Sequence, residues 1–139
     1  MIQSFMKTYN YSLKNQHLHD LIDFQHFIKK SNLLVQIFCG QGKDILKITI
    51  NLILERLPQA VCIGTTTDGE IINNVASTFN TVISISTFEH TKVQTAYAQG
   101  KHSYENGIPI ANKLISSNTK LLILFTDGTN TNGKGVYKG

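Results

Sequence analysis

Apolar side chains recur along the chain in short blocks whose spacing alternates between two-residue and three-to-four-residue steps. Residues 4–13 mix aromatic and polar positions, which predicts a first strand at a sheet edge. Over 16–30, Leu18, Leu21, Ile22 and Ile28 share one helical face, and Lys29 and Lys30 suit a last turn. Residues 33–39 are apolar except for Gln36, the pattern of a strand buried on both faces of a parallel sheet. Gly40-Gln41-Gly42 breaks the chain. Leu46, Ile50, Ile53 and Leu57 then predict a helix over 44–57, capped by Asp44 and stopped by Pro58. A short apolar run at 60–63 returns as a strand and completes a βαβ unit. A short strand over 70–75 is also expected. Residues 79–88 are strongly β, with Thr81, Ile83 and Ile85 on one face. A turn at 89–91 is expected to bring 92–98 back as its antiparallel partner. A helix ending near Ser117 follows, burying Ile108, Ala111, Leu114 and Ile115, and residues 121–125 form a last apolar strand.

These elements predict an α/β fold: a mixed, largely parallel sheet with flanking helices and an antiparallel hairpin at about 79–98. With 139 residues the chain fits one domain, 1–139. It ends just after a strand and half a loop, so a truncated unit is expected.

Composition narrows the class. Only 16% of residues are charged, and Asn, Thr, Ser and Gln fill the difference. The net charge of +4 is scattered, with no basic stretch interleaved with aromatics, so no nucleic-acid surface is expected. No apolar run approaches a membrane span, and the first residues lack a signal-peptide pattern. A cytoplasmic protein without a membrane partner is the expectation, with Cys39 and Cys62 reduced and mostly buried. A disulfide stays open if their strands are neighbours.

Thr-Asp-Gly occurs twice, at 67–69 and 126–128, each time past the end of an apolar run. Cys39-Gly40 holds the equivalent place after a third. Parallel strands would gather these ends at one sheet edge, where ligands bind in open α/β sheets. The candidate binding residues are Cys39, Gly40, Gly64, Thr65, Thr66, Thr67, Asp68, Gly69, Glu70, Asp127 and Gly128. Asp-Gly also suits a plain tight turn. Gly40-Gln41-Gly42-Lys43-Asp44 lacks the phosphate-loop spacing, and Asp44 stands where Ser or Thr would bind magnesium. His19, Asp23 and His26 fall at i, i+4 and i+7 on the first helix, but such residues are commoner as a solvated face than as a metal site. Cys39 at a strand end is a candidate nucleophile with His90 or His102 as base, against the commoner inert buried thiol. No G-x-S-x-G elbow occurs. Neither a cofactor nor a metal is called for, and no catalytic residue is assigned.

LLVQIFCG at 33–40, AVCIGTTTDGEI at 60–71 and LLILFTDG at 121–128 together resemble the N-terminal part of the FIST domain, named from F-box and intracellular signal transduction proteins. The resemblance spans about residues 5–139. It implies a cytoplasmic, bacterial sensory domain that binds a small ligand, with amino acids as the proposed class. It implies an output partner in the same or another chain: a histidine kinase, diguanylate cyclase or chemotaxis receptor. It also implies a second, C-terminal half that this chain stops short of, and no enzymatic activity. Read as a binding module, the chain would use Thr65, Thr66, Thr67, Asp68 and Glu70 for polar contacts, with Gly64 and Gly69 allowing close approach. Asp68 and Asp127 receive an ammonium group, and free N–H groups a carboxylate. The alternatives are an assembly domain that binds only protein, and a small enzyme built on Cys39.

Overall fold

The computed structural model describes residues 6–14, 17–100, 102–127 and 133–138. It divides the chain into two compact units, residues 1–93 and 94–139.

The first unit is built on a four-stranded sheet. Its strands are β1 (Met6–Ser12), β2 (Leu33–Cys39), β3 (Val61–Thr66) and β6 (Thr81–Phe88), in the order β1-β6-β2-β3. β1 is an edge strand, as its mixed polarity predicts. β2 and β3 are parallel, joined through α3 (Lys43–Arg56), while β6 runs antiparallel to both β1 and β2. The expected mixed α/β sheet is therefore present, with one parallel ladder and two antiparallel ones. A separate two-stranded sheet is formed by β4 (Glu70–Ile72) and β5 (Val75–Ser77).

This hairpin differs in place from the one expected at 79–98. β6 finds its antiparallel partners in β1 and β2, and residues 91–100 join no strand. The hairpin at 70–77 turns through Asn73 and Asn74, at φ 50 and 64. Successive positive φ values match the right-handed twist of hairpin strands, and Asn tolerates them better than most residues.

One sheet face makes the core. Val35 and Ile37 of β2 lie beside Ile85 and Ile83 of β6, and all four are fully buried. Leu46, Ile53 and Leu57 cover them, so the predicted face of α3 is the buried one. β2 is not buried on both faces. Its other side carries Gln36, which pairs with Ser84, and Ser84 and Ser86 in turn bond Asn10 and Thr8 across to β1. That alternation of period two leaves the second face of β2, Leu34, Gln36 and Phe38, half-buried. α3 begins at Lys43 with Gly42 as its cap, at φ 93, rather than at Asp44. Asp44 lies in the first turn, where its charge favours the helix dipole.

The single helix expected over 16–30 is two short ones, α1 (Leu18–Leu21) and α2 (Gln25–Ile28). Ile22 is extended, and the Asp23 carboxylate accepts the Gln25 N–H at 3.1 Å, which starts a new turn. The break lets Leu18, Ile22 and Phe27 enter the core together and leaves Ile28 exposed.

In the second unit α4 (Ser103–Leu114) packs with α5 (Gly133–Lys138). The apolar run at 121–125 forms no strand there, and Leu121, Leu122, Ile123 and Leu124 are exposed. A strand needs a neighbour to pair with, and this unit holds no other strand among its described residues.

Ile53→Ala removes a fully buried side chain at the centre of the α3–sheet contact. It should cost about 2–5 kcal/mol in urea unfolding. Ile48→Ala, on the exposed face of the same helix, should stay within about 0.5 kcal/mol of the parent.

Candidate functional site

The sequence-named residues 39–40 and 64–70 do come together, at the carboxyl ends of β2 and β3. The segment 64–70 is less of a loop than its composition implies. Gly64, Thr65 and Thr66 continue β3, Thr67 to Gly69 make the turn, and Glu70 already opens β4. The Thr67 N–H donates to the Cys39 carbonyl at 3.1 Å, which fastens the turn to the end of β2.

Behind that turn lies a buried polar node. The Glu70 side chain is 3% exposed. Its carboxylate accepts the Thr67 hydroxyl at 2.5 Å and the Asn80 N–H at 3.3 Å. Among the described residues no cation pairs with it. Gly40 stands directly in front: a Cβ at that position would overlap the carboxylate. Asn80 uses every polar group it has. Its Nδ2 donates to Ser12 at 2.8 Å and Ser77 at 3.1 Å, its Oδ1 accepts the Thr81 N–H at 2.8 Å, and its carbonyl accepts the Gly40 N–H at 2.7 Å. The Thr81 hydroxyl reaches Gln41 at 2.9 Å and the Cys39 sulfur at 3.2 Å. Asn80 and Thr81, absent from the sequence-derived set, organise it. The one sequence signal they leave is a polar pair directly before an apolar strand.

The node divides the candidate residues in two. Cys39 and Glu70 are buried, whereas Thr66, Asp68 and Gly69 face solvent, as do Gln41 and Gly42, which lie outside the sequence-derived set. Gly64 is closely approached, but by the protein itself: an added Cβ would meet Leu46 Cδ1 at 3.0 Å and the Ile37 carbonyl at 3.2 Å. Thr65 is half-buried, and its hydroxyl donates to the Thr66 carbonyl. A shallow depression of about 440 Å³ is lined by Gly69, Glu70, Ile71, Ala76, Ser77 and Thr78. Asp127 is exposed and belongs to the second unit, and Gly128 lies outside the described residues.

The thiols can be placed. Cys39 is fully buried between the Thr81 hydroxyl and the Gly42 carbonyl, the setting of a structural thiol. No histidine among the described residues hydrogen-bonds it. Cys39 pairs with Thr66 and Cys62 with Val35, four positions apart along the ladder. At ~3.3 Å per residue the two are ~13 Å apart, too far for a disulfide. Burial pushes the Cys62 thiol up to about 11. Of the helical His–Asp–His set, Asp23 has left the helix to cap Gln25, and His26 Nε2 bonds the Tyr9 hydroxyl at 2.9 Å. Among the described residues no group of three or more His, Cys, Asp or Glu could hold a metal ion. No described helix is long and apolar enough to cross a membrane.

Compared with known families, residues 33–139 match the model of the FIST N domain. The match starts at the first residue of β2 and runs through both units. No curated protein and no solved structure matches the chain.

Two measurements test this geometry. Asn80→Ala deletes two donated bonds and orphans the buried Thr81 N–H, so it should cost about 2–4 kcal/mol in urea unfolding. The second concerns alkaline pH. An unfolded Cys62 thiol ionises near 9 and the folded one near 11, so between these values the unfolded chain holds fewer protons. Stability should fall as pH rises from 9 to 11, and Cys62→Ala should flatten that fall. Tyr11, also raised by burial and by the neighbouring Tyr9 and Asp23, contributes in the same direction.

Proposed function

Because the chain belongs to the FIST N domain family, a family associated with signal transduction, we propose that it is a sensory module that binds a small ligand at the solvent-facing turns after β2 and β3. The observation that carries this reading is the division of the strand ends. Buried Glu70, Asn80 and Thr81 hold the turns from behind, while Thr66, Asp68, Gly69, Gln41 and Gly42 are left open to solvent.

The chemistry of these open groups fits a small zwitterion. Asp68 offers an exposed carboxylate for an ammonium group. α3 opens at Gly42, just after the end of β2, with no side-chain bond from its cap residue, which suits a carboxylate. Amino acids are therefore the ligand class proposed. The partner proposed is a signalling output module of the kinase, cyclase or chemoreceptor type, in the same or another chain, with the domain working in the cytoplasm. Cys39 is left a structural role.

A protein-docking role is the second reading. It is favoured by Ile71, Val75 and Phe79, which are exposed on a stretch, 71–88, without a single charged residue.

A thermal-shift screen of the chain against the amino acids separates the two. A ligand at ~100 times its dissociation constant adds about 2.7 kcal/mol to stability. The sensory reading expects at least one amino acid to raise the melting temperature, and Asp68→Asn to abolish that rise while leaving the unliganded melting temperature unchanged. A screen blank for every amino acid sinks the amino-acid reading and favours docking. A shift that survives Asp68→Asn moves the site away from the β3 turn.

A further inference from the structure

We infer that the β4–β5 hairpin is a flap, latched to the main sheet by the Glu70 carboxylate and able to open while that sheet stays folded. The flap's attachments are few and polar. Its two strands bond only each other in the backbone ladder, as a sheet of their own. Apolar burial does little to hold it: Ile71 is 74% exposed, Val75 is 64% exposed and Ala76 also faces solvent. Glu70 is its only buried side chain.

Glu70 and Ser77 face each other at the base of the hairpin, one on each strand. Both are gripped by Asn80, Glu70 through the backbone N–H and Ser77 through the side-chain amide. Asn80 is in turn fixed to β1 through Ser12 and to the end of β2 through Gly40. The latch thus has one moving part, the carboxylate, and one fixed seat, made by Asn80, Thr67 and the bare backbone of Gly40. Gly40 fits that role, because any side chain there would occupy the seat. The chain leaves the flap through Phe79, 81% exposed and at φ 53, a region that a bulky residue seldom occupies. Two strands of three residues are too short to be stable in isolation, so a released flap opens rather than persists.

The flap does not depend on the small-ligand reading, since it is tested on the unliganded chain. Hydrogen exchange followed by mass spectrometry compares a peptide spanning 67–79 with peptides over β2 and β6. In Glu70→Ala the 67–79 peptide should exchange about tenfold faster or more, with β2 and β6 unchanged. Gly40→Ala, which fills the seat and leaves the carboxylate in the chain, should give the same local pattern. Equal acceleration of β2 and β6, unfolding of either variant, or unchanged exchange at 67–79 would each overturn the latch.

Discussion

A single buried asparagine sets the geometry on which the candidate site depends. Asn80 stands where the chain enters β6, and its backbone and side chain join the two nearby hairpin strands, at Glu70 and Ser77, to two segments distant in sequence, β1 at Ser12 and the end of β2 at Gly40. Such a node is costly to half-satisfy, because each buried polar group left unpaired keeps its full desolvation penalty. No described buried side-chain nitrogen or oxygen lacks a partner. The node therefore favours one arrangement of the strand ends over nearby alternatives, which an apolar contact of the same size would not.

Polar organisation at this end suits the apolar organisation beneath it. The core ladder of Val35, Ile37, Ile83 and Ile85 fixes the register of β2 on β6, and that register sets Cys39 opposite Thr81. A one-residue slip would turn every isoleucine to the other face. It would also take the Thr81 hydroxyl away from Cys39 and Gln41. Packing chooses the register, and the node reads it out as the shape of the turns.

Much of this was legible in the sequence where the signal was periodic. β2 spans the predicted residues 33–39, and the α3 face at Leu46, Ile53 and Leu57 is buried as its spacing requires. Elements set by partners rather than by period were not legible. A short strand is expected over 70–75 and β4 lies within it, but its turn into β5 is not legible, because three-residue strands show no alternation and Asn73-Asn74 is a weaker turn signal than Asn-Gly. β6 reads as a strand, but nothing local says that it pairs with β1 and β2 instead of returning on itself. The run at 121–125 carries the strongest apolar signal in its unit and joins no ladder there. At the site, composition found the turn residues and ranked Glu70 with Asp68 as a contact. Burial separates the two, and burial comes from Gly40 and Asn80, both distant in sequence.

The contrast between the sheet and the flap bears on how a small event at the turns could be passed on. A fully packed α/β core transmits little at low cost, since its elements move only together. The flap is held by side-chain hydrogen bonds at one end and carries exposed Ile71, Val75 and nearby Phe79 at the other. Thr67, in the turn that carries Asp68, is one of the two donors to Glu70. Any group that competes for the Thr67 hydroxyl, or that redraws the turn at Asp68, alters the acceptor that holds the flap. The turn and the exposed apolar surface are then coupled through one carboxylate. The direction of coupling follows from its chemistry: tightening the Thr67–Glu70 bond closes the flap, and breaking it frees the flap. The proposed flap is thereby one element on which both the turn and the exposed apolar surface act, the physical requirement for linking two sites.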